Sequence, residues 1–282
     1  MTYEQLLKFS QKEAVKFNKE VEAVKLLLME LSNQDPHTFY LNLKSEVDEK
    51  FKNHFEEQLT KYLKHDIPVQ HLIGHAYFYG HAFLVNEHVL IPRSETEQLV
   101  EEVLYLYDQY FEHEKVRVLD LGTGSGCIGL TLSLEEKNMD VSVSDISVKA
   151  LEVAKNNSKK LNADVSIIHS DLFENIKGTF DIIVSNPPYI PDEEALDNIV
   201  KKEPDVALFG GSLGVDFYEK ILKQIKPFLK EKALIAFEHG YMQNDVIRAF
   251  VNKHLPNAIV IQKKDLQQKD RFTFVGLGGV LS

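Results

Sequence analysis

Seven short runs of apolar and β-branched residues, spread through the later part of the chain, leave few folds open to it. They are Val116 to Asp120, Val141 to Ser144, Val165 to His169, Phe180 to Ser185, Ala233 to Glu238, Ala258 to Gln262 and Phe272 to Gly276. Runs this short and this apolar fit strands covered on both faces. The stretches between them, such as Ser147 to Leu161 and Val215 to Leu229, carry helical spacing, and a helix is predicted over Ser94 to Tyr110. Strand and helix in alternation predict an α/β, doubly wound, Rossmann-like sheet of seven strands, with its site beyond the carboxyl ends of the strands.

Before residue 75 the pattern differs. Apolar residues recur three and four apart in Ala23-Val24-Leu26-Leu27-Leu28-Leu31 and Phe51-Phe55-Leu59-Tyr62-Leu63, which predicts a small helical domain. Pro36 breaks that pattern after Ser32. Tyr77 to Ile91 turns aromatic and β-branched with glycine and is expected to form a hairpin. The expected organisation is a helical domain over 1–75, a hairpin linker over 76–92 and the α/β domain over 93–282.

The first run leads into Asp120-Leu121-Gly122-Thr123-Gly124-Ser125-Gly126. Glycines at alternate positions let a ligand approach the backbone where a helix begins with unpaired N–H groups. Gly124-Ser125-Gly126-Cys127-Ile128-Gly129 also satisfies the dinucleotide fingerprint, so an oxidoreductase competes as a reading. Asp120 argues against it, because a carboxylate there opposes a pyrophosphate and suits the ammonium and sulfonium of S-adenosylmethionine. Asp145 ends the second run about 20 residues on, where an acidic side chain accepts from ribose hydroxyls. Ser147 is then free to cap the following helix. Ser170-Asp171-Leu172-Phe173 follows the third run. Asp171 is expected to face the adenine amino group, and Leu172 or Phe173 to cover a ring face.

The fourth run ends in Asn186-Pro187-Pro188-Tyr189. Two prolines fix an extended backbone and donate no hydrogen bond, which leaves their carbonyls to accept from another group. Asn186 adds a side-chain carbonyl, and Tyr189 offers a ring to lay against a flat group. A planar NH2 group fits those acceptors. Its lone pair is delocalised, so alignment and a polar frame for developing positive charge are the main contributions expected of the protein.

Composition excludes other classes. The net charge of −11 opposes association with a phosphate backbone, and no apolar run approaches the roughly 18–20 residues of a membrane span. A cytoplasmic protein without a secretory signal is expected. The single cysteine, Cys127, rules out an intramolecular disulfide and a cysteine-cluster metal site, and it is read as a small side chain packed under the glycine loop. His71 and His75 lie four apart, but Gly74 intervenes and no third ligand is evident, so no metal is expected.

The glycine loop, Asp145 and Asn186-Pro187-Pro188-Tyr189 together resemble the class I methyltransferases that modify planar nitrogens, adenine-N6 and glutamine-N5 enzymes alike. Val89-Leu90-Ile91-Pro92-Arg93-Ser94-Glu95-Thr96-Glu97 is similar to the Pro-Arg-Pro-Glu-Thr-Glu segment of release factor glutamine methyltransferases. Pro68 to Gly74, Glu203-Pro204, Leu208 to Gly211, Asp265 and Arg271 extend that likeness over nearly the whole chain. Ser94 stands where a proline is usual, and Leu172 where some members carry a large aromatic.

The resemblance implies S-adenosylmethionine as donor, leaving S-adenosylhomocysteine, held by Gly122, Thr123, Gly124, Ser125, Gly126, Asp145, Leu172 and Asn186. It implies a glutamine amide held by Asn186, Pro187, Pro188 and Tyr189, with Asn186, Pro187 and Tyr189 catalytic. The implied partner is a peptide chain release factor, presenting the glutamine of a Gly-Gly-Gln loop to a monomer. Glutamine methylation of a ribosomal protein and adenine-N6 methylation of nucleic acid are the alternatives. His239, at the end of the fifth run, is kept as a group behind the site.

Overall fold

A computed structural model describes residues 1–282. The chain divides into two compact units, one of Met1–His75 with Leu196–Lys202 and one of Ala76–Ala195 with Glu203–Ser282.

The first unit holds helices α1 (Tyr3–Lys16), α2 (Val21–Leu31), α3 (Pro36–Leu41), α4 (Glu49–His65) and α5 (Val69–Ile73). The starts of α1, α3 and α4 are set by side chains that accept from free N–H groups: Thr2 with Gln5 in a reciprocal box, Asp35 before Pro36, and Asp48. The α4 stripe of Phe55, Leu59, Tyr62 and Leu63 buries against Val24, Leu27 and Leu28 of α2 and Leu6 and Ala14 of α1. Ile199, from the segment that joins this unit late in the chain, packs on the same core.

The second unit opens with a two-stranded hairpin, β1 (His75–Phe78) and β2 (His81–Leu84). Tyr79 and Gly80 connect the strands, both at positive φ, of 49° and 77°, as a tight hairpin turn requires. The hairpin is shorter than its aromatic, β-branched sequence suggests. Residues 85–91 form no strand; Val85, Val89 and Ile91 instead fix the segment by packing on Ala150 and Val153.

The large sheet comprises β3 (Val116–Leu121), β4 (Met139–Asp145), β5 (Val165–His169), β6 (Phe180–Ser185), β7 (Leu229–Glu238), β8 (Ile259–Lys264) and β9 (Asp270–Leu277). Their order is β5-β4-β3-β6-β7-β9-β8. The first five strands are mutually parallel, and β9 inserts antiparallel between β7 and β8. Alternate residues face opposite sides. Val118, Ile182 and Leu234 pack beneath α6 (Ser94–Phe111) and α7 (Cys127–Glu135). Leu119, Ile183 and Ile235 pack against α9 (Asp216–Gln224) and α10 (Asn244–His254). Both faces are covered, which is why these strands read as continuous apolar runs. Helix α8 (Val148–Leu161) follows β4, with the Ser147 hydroxyl accepting from Ala150 N–H as the sequence suggests.

One expected helix is shorter than its spacing implies. The run from Val215 to Leu229 breaks at Gln224, because Pro227 cannot donate within a continuing helix. A 3₁₀ turn over Lys226–Phe228 leads into β7 instead.

The order reverses where β3 lies between β4 and β6. In such sheets the crevice opens beyond the carboxyl ends of the strands at that point. The glycine loop, Asp145, Ser170 to Leu172 and Asn186 to Tyr189 each follow a parallel strand at this end.

Candidate active site

The loop after β3 is held from below. The Asp120 carboxylate, fully buried, accepts from Thr123 Oγ1 at 2.5 Å and from Gly129 N–H at 2.9 Å. Gly129 is needed at this contact, since a Cβ there would lie 2.5 Å from Val143 and 3.0 Å from Asp120. Asp120 therefore does not reach out to a cationic ligand, as its sequence position suggests. It ties the loop to α7, and burial pushes its carboxyl up to about 6.

Gly122 and Gly124 adopt φ of 76° and 56°, and a Cβ built on either would meet only open space. Both line a cleft, together with Thr123 and Ser125. Gly126 does not line it. Gly126 is the N-cap of α7 at φ 87°, where a Cβ would sit 2.8 Å from Leu130, so its glycine serves the turn rather than contact with a ligand.

Asp145 lines the cleft and is fixed by the backbone. Its Oδ2 accepts from Gly124 N–H at 2.9 Å and its Oδ1 from Ser147 N–H at 2.8 Å. Burial raises its pKa despite those bonds. Each oxygen keeps a lone pair for a hydroxyl. Leu172 lines the same wall at φ 45°, an uncommon conformation for a branched side chain and a frequent mark of functional sites. Asp171 also lines the cleft. Phe173 turns away, stacked on Phe228 at 4.7 Å in the core, so of the two expected ring covers only Leu172 is in place. Ile146 is half exposed and lines the cleft; a lone apolar residue after a strand carries no signal in the sequence.

Asn186, Pro187 and Pro188 line the other end. Asn186 Nδ2 donates to Thr96 Oγ1 at 3.3 Å, while its Oδ1 is buried without a partner. Neither proline carbonyl accepts a hydrogen bond from the chain. Gly210 lets the backbone pass against the Pro188 carbonyl, where a Cβ would intrude to 2.3 Å. Tyr189 is not a wall of the cleft. Its ring packs against the core under α9, burial pushes its hydroxyl up to about 12, and its carbonyl accepts from Gln243 Nε2 at 2.8 Å.

Pro92 and Arg93 close the cleft near Pro204. Arg93 donates to the Glu203 carboxylate at 2.5 Å, and Ile91 N–H donates to its other oxygen at 2.8 Å. Two segments far apart in sequence are thereby clamped beside the site. Thr96 and Glu238 stand behind Asn186; sequence reasoning gave neither a role, because their meaning depends on this packing. His239 faces away, its Nδ1 donating to the Gly240 carbonyl and its Nε2 accepting from Thr273. Desolvation lowers its pKa, in keeping with a neutral ring that braces β9. Cys127 is only partly buried and lines the cleft, yet desolvation by the surrounding chain pushes its thiol up to about 12, which leaves it a poor nucleophile.

A doubly wound sheet whose strand order reverses at such a crevice, with β9 turned antiparallel near its far edge, is the class I methyltransferase architecture. The methyltransferase small domain matches residues 103–232, and the PrmC N-terminal domain matches residues 9–74. A 16S rRNA N2 G1207 methyltransferase of Thermus thermophilus, solved in complex with AdoMet and guanosine, shares the fold. Its TM-score is 0.52 at 16% identity, over 72% of this chain and 50% of that one.

Sequence relatives narrow the class. The release factor glutamine methyltransferase of Bacillus cereus is 42% identical over 240 residues, 83% of this chain and 84% of that protein. The protein of the same name in Streptococcus pneumoniae is 36% identical over 281 residues, 99% of each. The chain belongs to the release factor glutamine methyltransferase family.

Proposed function

We propose that this chain transfers a methyl group from S-adenosylmethionine to the side-chain amide nitrogen, N5, of the glutamine in the Gly-Gly-Gln loop of a release factor. The observation that carries the reading is the surplus of acceptors at the end of β6. Asn186 Oδ1 is buried without a partner, and the Pro187 carbonyl beside it is held rigid without a donor of its own. Buried acceptors without partners are costly, and a planar carboxamide NH2 brings the two N–H groups that would satisfy both.

The other wall fits the donor. Gly122 and Gly124 expose backbone to the cleft, Asp145 offers lone pairs to ribose hydroxyls, and Leu172 with Ile146 offers apolar cover for a base. Bound there, S-adenosylmethionine would supply a methyl group already activated by its sulfonium. The chain's own contribution is alignment: Asn186 and Pro187 hold the amide nitrogen by its hydrogens, in line for displacement, and draw electron density back onto it. Their carbonyl dipoles also face the positive charge that develops on that nitrogen. The proton then leaves an acidic nitrogen and needs no strong base.

In this proposal the helical unit contributes release factor recognition, and the chain acts as a monomer in the cytoplasm. No helix is long and apolar enough to cross a membrane. The test is incubation with labelled S-adenosylmethionine and a release factor, followed by location of the label by mass spectrometry. Label on the Gly-Gly-Gln glutamine is expected. Label confined to a ribosomal protein, or to adenine in nucleic acid, overturns the proposal.

A further inference from the structure

Asn186 has two ends that look alike in shape and differ in chemistry. The proposed reaction needs the carbonyl end toward the cleft, since an NH2 there would meet the substrate amide donor to donor. Something buried must decide between the two orientations.

The candidate stands at the end of β7. Glu238 is 1% exposed, and the pairing of Ser185 with Phe237 in the β6–β7 register sets it next to Asn186. Thr96 Oγ1 also accepts from Asn186 Nδ2 at 3.3 Å. A hydroxyl that accepts from an amide keeps its own hydrogen for another acceptor, which points a relay from Asn186 through Thr96 toward Glu238, whose pKa Thr96 lowers. Glu238 Oε2 has no partner, so the carboxylate has capacity left for a donor. An ionised carboxylate only accepts. Next to it, Asn186 presents nitrogen, which leaves Oδ1 as the end available to a substrate.

We propose that Glu238 is the positioning residue of this site, fixing Asn186 with its carbonyl toward the substrate through Thr96 and by direct contact. The inference rests on the glutamine methyltransferase reading above and adds to it a group that the reaction as described does not use. Ionised Glu238 also draws positive charge toward the Asn186 NH2, which makes the opposite carbonyl a stronger acceptor. Protonated, Glu238 becomes a donor, and the preference for nitrogen beside it is lost.

The charge state of Glu238 falls within an accessible pH range. Burial pushes its carboxyl up to about 7, against the lowering by Thr96, by Arg271 from β9 and by Asn186. Glu95 on α6 raises it. Tyr189, Tyr218 of α9 and Cys127 of α7 also feel its charge and are themselves held neutral by burial. Arg271 is shared, donating to Asp265 at 3.3 Å and to the His239 carbonyl at 3.1 Å.

The experiment measures single-turnover methyl transfer to a release factor between pH 5.5 and 8.5, for the unaltered chain, Glu238→Gln and Glu238→Asp. Calorimetry with S-adenosylhomocysteine runs alongside. The unaltered chain is expected to gain rate as pH rises through about 7. Glu238→Gln should transfer about 10- to 100-fold more slowly, lose that rise and keep its affinity for S-adenosylhomocysteine. Glu238→Asp should recover the rise and part of the rate.

Should Glu238→Gln fail to fold, Thr96→Val interrupts the same relay and should slow transfer about tenfold or more. A flat profile in the unaltered chain, or unaltered kinetics in Glu238→Gln or Thr96→Val, overturns the assignment. Absence of transfer by the unaltered chain is a different result and overturns the function itself.

Discussion

Asn186→Ala should separate activity from stability. The side chain contributes one hydrogen bond to the fold, from Nδ2 to Thr96 at 3.3 Å, worth about 0.5–1.5 kcal/mol. Against this, its Oδ1 lies buried without a partner, a liability of about 1–3 kcal/mol that the substitution removes. Loss of packing at a site already bordering an open cleft is a minor further cost. The net change in stability is therefore expected within about 1 kcal/mol of zero, or a few degrees in melting temperature. Transfer should fall by about 10²–10³-fold, the usual consequence of deleting one preorganised polar contact to a developing charge. Thermal unfolding followed by circular dichroism gives the first quantity, and single-turnover methyl transfer gives the second. Loss of more than about 3 kcal/mol of stability would make Asn186 a structural residue, and full turnover would remove it from the reaction; either outcome refutes the reasoning.

Other substitutions probe the walls of the site. Gly126→Ala should destabilise the α/β unit by about 1–3 kcal/mol, since it combines φ 87° with a 2.8 Å approach to Leu130, and urea unfolding measures it. Gly124→Ala meets open space at φ 56°, so calorimetry should find donor affinity reduced more than stability. Asp120 is held near 6, above its unfolded value, so its contribution to stability is full below about pH 4 and is lost as pH rises through about 6. Asp120→Asn should accordingly gain stability relative to the unaltered chain between pH 5 and pH 8 in urea titrations, and a constant difference would count against the buried carboxyl. Cys127, pushed up to about 12, should react with iodoacetamide at pH 8 far more slowly than free cysteine; comparable rates would contradict a raised thiol pKa.

Much of the fold was legible because strands buried on both faces announce themselves as apolar runs. Val165–His169 and Phe180–Ser185 match the predicted bounds. Where the reading failed, one local rule overrode another. Helical spacing was followed across Pro227, although a proline there ends α9. The aromatic run after Tyr77 suggested a longer hairpin, whereas Val85, Val89 and Ile91 bury without strand pairing.

The site was legible wherever a motif carries its own geometry. Gly122, Gly124, Asp145, Leu172, Asn186 and Pro187 all reach the cleft. Gly126, Tyr189 and Phe173 do not, because a turn glycine and a core aromatic share the sequence signature of a ligand contact. Asp120 was misjudged for a related reason: charge can be read from sequence, but the direction a carboxylate faces cannot. Thr96 and Glu238 sit 142 positions apart in the numbering, and no local pattern joins them.

On the proposed reading, the way Asp145 is held bears on which nucleotides suit this cleft. Both of its oxygens are already engaged by main-chain N–H groups, so the carboxylate can neither swing aside nor exchange its role. A visitor must bring hydrogens to its outer edge. On the proposed reading sugar hydroxyls qualify, while a phosphorylated ribose would bring charge of the same sign. The aim of this carboxylate is thus set by main-chain donors that a substitution at another side chain leaves in place.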